Sequence, residues 1–201
     1  MRVSGSHIQV DPTDILKRFD PENRIETYVD LLLEENRKIN LVSRETSRDD
    51  LRRLTVESLV PLTLLELPVG RYLDIGSGGG LPSIPILLAG AVSGESLLVE
   101  RTQKKAAVLR RILLELGLFA EVTPSNYEET RSRGKFDLAT IRLVKPTKPL
   151  LRKIHSELNE DGVVVYYSSG ITPDRIFDSE TVTFSFPQST QDKRLTILRR
   201  I

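Results

Sequence analysis

The residues best suited to hold a reactive ligand run from Asp74 to Pro85, Asp-Ile-Gly-Ser-Gly-Gly-Gly-Leu-Pro-Ser-Ile-Pro. They join a strand end, a glycine loop and a helix start. Arg71-Tyr-Leu-Asp-Ile75 reads as a short buried strand, and Gly76, Gly78 and Gly80 let the chain turn and approach a ligand without Cβ obstruction. Pro82 suits the first turn of a helix, where a missing N–H is no loss. A helix start aimed at such a loop offers unpaired N–H groups and partial positive charge, so the expected ligand is anionic at that end.

Spacing narrows the ligand. A dinucleotide fingerprint requires a third glycine where this chain has Leu81. The order Asp74-x-Gly76-x-Gly78-x-Gly80 instead resembles the S-adenosylmethionine loop of class I methyltransferases. Glu100 supports this, because it ends the apolar run Ser96-Leu-Leu-Val99 where a Rossmann-like fold places a carboxylate on ribose hydroxyls.

The elements that must position these residues follow from periodicity. From Pro12 to Leu67 the pattern is helical: Ile25, Tyr28, Val29, Leu32 and Leu33 recur at three and four. Asn40-Leu-Val-Ser43 interrupts it, and Ser47 restarts a helix as N-cap with Asp50 three residues on. Residues 1–11 read as a mobile tail. From Arg71 onward strands and helices alternate, with strands expected at 71–75, 96–100, 119–123, 136–141, 162–168, 180–186 and 194–200, and helices at 82–89, 102–116 and 148–158. Asn159-Glu-Asp-Gly162 reads as a turn, and the last two strands as an antiparallel pair. The expected fold is α/β, a Rossmann-like class I methyltransferase with a seven-stranded, mainly parallel sheet, an antiparallel C-terminal strand and an N-terminal helical extension. The division is 1–67, a helical extension packed on the core, and 68–201, the methyltransferase domain.

Composition excludes several classes. At 201 residues the chain can bury a sizeable core in one α/β domain, and its net charge is +1. Without cysteine there is no disulfide or thiolate metal site, and His7 and His155 are too scattered to suggest a metal centre. No segment reads as a signal peptide or membrane span, so the expected location is cytoplasmic. Arg37, Lys38, Arg44, Arg48, Arg52 and Arg53 crowd the first third, and Arg101, Lys104, Lys105, Arg110 and Arg111 load one later helix. Such local charge suits either a nucleic-acid surface or solvated helix faces paired with the many acids.

With these residues in view, the chain resembles the glucose-inhibited division protein B family, which methylates N7 of a guanine in small-subunit ribosomal RNA. The likeness covers roughly residues 25–170. It rests on Glu35-Asn-Arg-Lys-Ile-Asn-Leu41, Arg53, Glu57-Ser-Leu59, the loop from Asp74 to Pro85, Lys104-Lys105, Leu109, Leu116-Gly-Leu118, Phe136-Asp137 and Arg142. The loop with its two prolines is far more specific than the glycine pattern alone.

The resemblance implies cofactor contacts at Gly76, Leu81, Tyr127, Glu128 and Arg142. To these the residue reading adds Asp74, Gly78, Gly80 and Glu100. S-adenosylmethionine is the implied cofactor, and ribosomal RNA or the small ribosomal subunit the implied partner, with Arg44, Arg53 and Lys145 as RNA-contact candidates. No metal, no membrane and a monomer are expected. Guanine N7 has a free lone pair at neutral pH, so no catalytic acid or base is assigned, and positioning supplies the acceleration. The chain departs from the family at Leu54 (usually histidine), Glu57 (aspartate), Asn126 (arginine), Ile141 (serine) and Ser169 (lysine). These departures are expected around the substrate and methionine side of the site. The alternative reading is a divergent member that binds the cofactor but acts on another substrate or has lost transfer.

Overall fold

A computed structural model describes residues 6–131, 134–169, 171, 175–187 and 191–201. In chain order the elements are β1 (Ser6–Gln9), α1 (Pro12–Phe19), α2 (Arg24–Lys38), α3 (Arg48–Leu59), β2 (Tyr72–Ile75), α4 (Ser83–Leu88), β3 (Ser96–Val99) and α5 (Gln103–Glu115). They continue as β4 (Glu121–Thr123), β5 (Phe136–Ile141), α6 (Lys148–Glu157), β6 (Leu158–Tyr166), β7 (Phe177–Ser185) and β8 (Lys193–Arg200). One sheet takes all eight strands in the order β1-β7-β8-β6-β5-β2-β3-β4, and only β8 runs against its neighbours.

The expected fold class stands, with an extra strand. Residues 6–9 are not tail: Ser6↔Val182 through Gln9↔Ser185 pair β1 in parallel with β7, so the first third is not wholly helical. Val10 N–H donates to Ser185 O at 2.9 Å, and Val10 is buried, which anchors this edge. The turn expected at 159–162 is instead the start of β6. It joins the sheet through an irregular register beside Phe136 and Leu138, where the backbone carries the chain from α6 straight into the strand.

Successive strand residues face opposite sides, as the pleat requires. Tyr72 and Leu98 join the core under α1 to α5, whereas Leu73, Leu97 and Val99 join the core under α6. The helical extension is thus part of one continuous layer. Ile25, Tyr28, Val29 and Leu32 of α2 are all buried there. Ser47 caps α3 as expected: its Oγ accepts from Asp50 N–H at 3.1 Å, and Asp50 Oδ2 accepts from Ser47 N–H at 3.1 Å.

Strand order reverses at β2. The chain goes outward through β3 and β4, then returns to place β5 on the other side of β2. The segments that leave the carboxyl ends of β2 and β5 border one crevice, which is where open α/β sheets bind ligands.

Candidate functional site

A cavity of about 720 Å³ opens at this crevice. That lies within the range of small-molecule sites, roughly 300–1,000 Å³. Its floor is Gly76, Ser77, Gly78 and Gly79, one wall is Glu100 to Thr102, another is Ser125 to Glu128, and Arg142 to Lys145 form a lip. Leu41, Val42 and Leu54 close it from the helical side.

The loop after β2 is shaped by its neighbours. Gly76 N–H donates to Val99 O at 2.8 Å, which fastens the turn to β3. A Cβ on Gly76 would come within 2.3 Å of Val144 Cγ2, so the lip packs directly on the loop. Gly78 has φ +53°, and a Cβ there would meet only Gly76 O, at 3.8 Å. The space beside Gly78 therefore belongs to the cavity. Gly79 is pressed from the other side: a Cβ would lie 2.7 Å from Leu32 Cδ1 and 3.2 Å from Leu41 Cβ. Tyr28 O–H donates to Gly79 O at 3.1 Å. The extension helices thus hold the loop, a role the sequence did not suggest beyond Tyr28 lying in the apolar stripe of α2.

Glu100 is buried and grips the loop from the far wall. Its Oε2 accepts from Gly78 N–H at 3.0 Å and its Oε1 from Thr102 N–H at 2.8 Å. Each oxygen has a further acceptor position for a ligand hydroxyl. Ser125 Oγ, on the next wall, is buried without a partner.

Two residues expected at the cofactor stand outside the lining. Gly80 faces α4 and α5, because a Cβ on it would strike Ile84 at 2.5 Å and Leu109 at 3.3 Å. Asp74 is fully buried beneath the loop. Tyr72 O–H and Thr140 Oγ1 lie 2.6 Å apart, and Thr140 O–H donates to Asp74 Oδ1 at 2.6 Å. Asp74 Oδ2 and the nearby Ser83 Oγ have no hydrogen-bond partner. Burial pushes the Asp74 carboxyl up to about 6, against the opposing pull of neighbouring hydroxyls and of Arg142.

This raised value fixes a sign. Between the unfolded value near 3.8 and about 6 the folded protein binds more protons, so stability falls as pH rises through that window and is level above it. Asp74→Asn is expected to remove this slope and to raise stability at pH 7.5 by about 1–3 kcal/mol, the gap closing towards pH 4. The new amide can donate to Ser83 Oγ. Urea melts of both proteins from pH 4 to 8 check this; parallel curves would contradict it.

The remaining expected residues divide in the same way. Leu81 lines the cavity. Tyr127 turns its ring into the core, where its hydroxyl donates to Glu157 Oε2 at 2.5 Å and Lys153 Nζ lies 5.1 Å from the ring centroid. What the Tyr127-Glu128 segment offers the cavity is thus backbone and the exposed Glu128. Arg142 is fixed on several sides: its Nη2 donates to Glu57 Oε2 at 3.2 Å, its Nη1 to Ser58 Oγ at 3.3 Å and Leu54 O at 3.4 Å, and Tyr167 lies 5.5 Å away ring-on. Lys193 Nζ approaches Glu57 Oε1 at 3.3 Å. Glu57 was expected near the site as one of the departures from the family, whereas Lys193 was not expected there.

The basic first third is largely neutralised. Glu26 takes both Arg48 and Arg52, at 2.8 and 2.6 Å, Arg53 pairs with Asp50 at 2.6 Å, and Lys38 pairs with Glu34 and Glu35. Arg44 is held by Asn40 Oδ1 at 2.7 Å. Of the two readings of this charge, the helix faces paired with acids describe most of the first third. At the cavity itself Arg101, Lys105 and Lys145 form no ion pair among the described residues. Of the departures, Leu54 and Asn126 line the cavity and Glu57 holds Arg142 at its lip, but Ile141 is buried within β5 and Ser169 is exposed outside the lining, so the five do not form one cluster. Among the described residues no group of three His, Asp or Glu side chains is placed to hold a metal ion, and no helix is long and apolar enough to cross a membrane.

Residues 21–189 match the GidB family model, described as rRNA small subunit methyltransferase G. The chain belongs to this family. A GidB relative named ribosomal RNA small subunit methyltransferase G from Chromobacterium violaceum is 30% identical over 181 residues, covering 85% of each chain. Another of the same name, from Rhodopseudomonas palustris strain BisB18, is 36% identical over 145 residues, 67% of this chain. The aligned region spans only 62% of that relative and 64% of its counterpart from strain BisA53. In structure, a putative O-methyltransferase from Klebsiella pneumoniae superposes with a TM-score of 0.62 at 17% identity, covering 94% of this chain and 95% of that one. The tRNA (m1A58) methyltransferase TrmI from Aquifex aeolicus gives 0.57 at 16% identity over 72% and 68%. Both share the fold of this GidB chain.

Proposed function

We propose that this chain transfers a methyl group from S-adenosylmethionine to N7 of a guanine in small-subunit ribosomal RNA. One observation carries the reading: in a GidB-family chain, the glycine loop, Glu100 and the Tyr127-Glu128 backbone surround a single cavity whose lip bears Arg142 and Lys145. Cavity size and the unpartnered Ser125 Oγ fit a nucleoside-bearing ligand. Glu100 would accept from the ribose hydroxyls while keeping its bonds to Gly78 and Thr102. Gly76, Gly78 and Leu81 would lie along the cofactor, and Glu128 at the adenine edge. Asp74, lying behind the loop, would act on the amino group only through its free Oδ2 or a water. The helical segment 1–67 is on this reading a wall of the site rather than a separate module.

When bound, S-adenosylmethionine supplies a methyl group on a sulfonium centre that a ring nitrogen accepts with its own lone pair. The protein's work is alignment and exclusion of water. Arg142 sits where a cation can donate to guanine O6 or to a phosphate. Lys145, Lys105 and Arg101 would take phosphates, with Arg44 and Arg53 further out on the helical face, so strong salt dependence follows. The reading is of a cytoplasmic enzyme that works as a monomer without a metal. Leu54 and Asn126, neutral side chains on the cavity wall, favour a second reading, in which the cofactor is kept but the acceptor differs.

Calorimetric titration with S-adenosylmethionine, its demethylated product and a nicotinamide dinucleotide tests the cofactor. Mass mapping of ribosomal RNA from cells with and without the gene tests the acceptor; an unchanged methylation map would refute it. Gly78→Val is expected to weaken S-adenosylmethionine binding at least about 100-fold, because a β-branched residue is strained at positive φ and would project into the ligand's space. Affinity unchanged in calorimetry would show that the loop is only a turn.

A further inference from the structure

Leu143 breaks two rules at once. Its φ is +58°, a conformation that costs any residue with a Cβ, and its side chain is 98% exposed. Four large apolar side chains are exposed among the described residues, Leu114, Phe119, Leu143 and Ile201, and only Leu143 stands at the cavity.

Its neighbours hold it there. On one side Arg142 is tied to Glu57, Ser58 and the Leu54 carbonyl, and stacked on Tyr167. On the other, Val144 is packed against Gly76. Beyond it Lys145 is restricted by Pro146, and Thr147 Oγ1 caps α6 through Leu150 N–H at 3.3 Å. With both flanks fixed, the intervening residue is driven outward into the left-handed region. Strain maintained by such surroundings points to a use at the site.

The use follows from the substrate class. A ring nitrogen on the floor of the deep, narrow groove of an RNA helix is out of reach, so a guanine must leave the stack to enter the cavity. Nucleic-acid-binding proteins commonly insert an apolar side chain between base steps as a wedge that unstacks them. Among the described residues Tyr127 is the one aromatic of the lining and its ring faces the core, while Tyr167 behind Arg142 is tied to the Ser58 carbonyl. Leu143 is the exposed apolar group at the lip, Val144 being turned onto Gly76, and Lys145 stands two residues on for the adjoining phosphate.

We infer that Leu143 is an RNA-contacting wedge, which enters the base stack beside the target purine and holds it unstacked over the cavity. The inference rests on the reading of the chain as an RNA methyltransferase. Leu143→Ala and Leu143→Asn are expected to lower kcat/KM for small-subunit RNA by about 10- to 100-fold, the range of a lost contact to one base. Asn tolerates the left-handed backbone, so loss in both variants separates the side chain from the strain. S-adenosylmethionine affinity, read by calorimetry, is expected to stay within twofold, and Leu143→Met to restore most of the rate. Wild-type rates in Leu143→Ala, or a parallel loss of cofactor affinity, would overturn the wedge.

A second readout separates this from the failure of the reading itself. An RNA hairpin with one stem guanine flanked by 2-aminopurine should brighten when wild type binds, and not with Leu143→Ala. Absent methyl transfer with that difference intact would count against the enzyme and for the wedge. Equal fluorescence with both proteins would count against the wedge whatever the transfer assay shows.

Discussion

Glu100→Ala is expected to reduce S-adenosylmethionine affinity at least about 100-fold and to lower stability by about 1–3 kcal/mol. The two effects have one origin. The carboxylate ties Gly78 in the loop after β2 to Thr102 at the start of α5, with donor-to-acceptor distances of 3.0 and 2.8 Å. Removal leaves the half-buried Gly78 N–H without its partner, while the exposed Thr102 N–H can turn to water. That asymmetry keeps the stability loss near the cost of one unsatisfied group. The affinity loss is larger because a ligand diol would lose its charged acceptor, and the loop would also have to be ordered on binding. Glu100→Gln should fall between, since its amide N–H₂ must face one of the two backbone donors. Calorimetry and thermal melts on the three proteins measure this. An alanine variant that binds within fivefold of wild type would remove Glu100 from the site.

The glycine loop, β2, α5 and the antiparallel pair at the C-terminal end were legible because each is encoded locally. Gly76 and the run Gly78 to Gly80 fix the turn, and Leu109, Ile112, Leu113 and Leu116 mark one face of α5 whatever surrounds it. β1 was not legible. Ser6-His-Ile-Gln9 has no alternation strong enough to announce a strand, and its order comes from a register with Val182 to Ser185, far along the chain. The two readings of the basic charge could not be separated for a related reason. Arg48 and Arg52 look free in the sequence, but the crossing of α2 and α3 brings Glu26 to both. Gly80 shows the limit of motif reasoning: it fits the loop pattern, yet its missing side chain makes room for Ile84 and Leu109, not for a ligand. Arg142 and Glu57 were singled out through the family resemblance, but that the extension's Glu57 pairs with Arg142 and with Lys193 of the last strand has no local signal.

Those partners set the other large effect. Glu57→Ala is expected to cost about 2–4 kcal/mol of stability and most of the transfer rate. The Arg142 and Glu57 side chains are 12% and 8% exposed, so the pair is nearly dry, and removing one member of such a pair leaves an uncompensated charge. Lys193, 36% exposed, can turn to water, and Lys193→Met should therefore cost less than about 1 kcal/mol. Arg142 cannot do the same without leaving Tyr167 and the Leu54 carbonyl, and its departure would release the lip at Leu143. Glu57→Gln separates the contributions: it keeps an acceptor for Arg142 Nη2 but removes the charge, so it should restore much of the stability if geometry dominates and little if charge does. Denaturant melts give the stability order, and single-turnover methylation with saturating cofactor gives the rate. If Glu57→Ala and Lys193→Met prove equally mild, Arg142 is held by Ser58, Leu54 and Tyr167 alone, and the extension's hold on the lip lies in packing rather than in this buried charge.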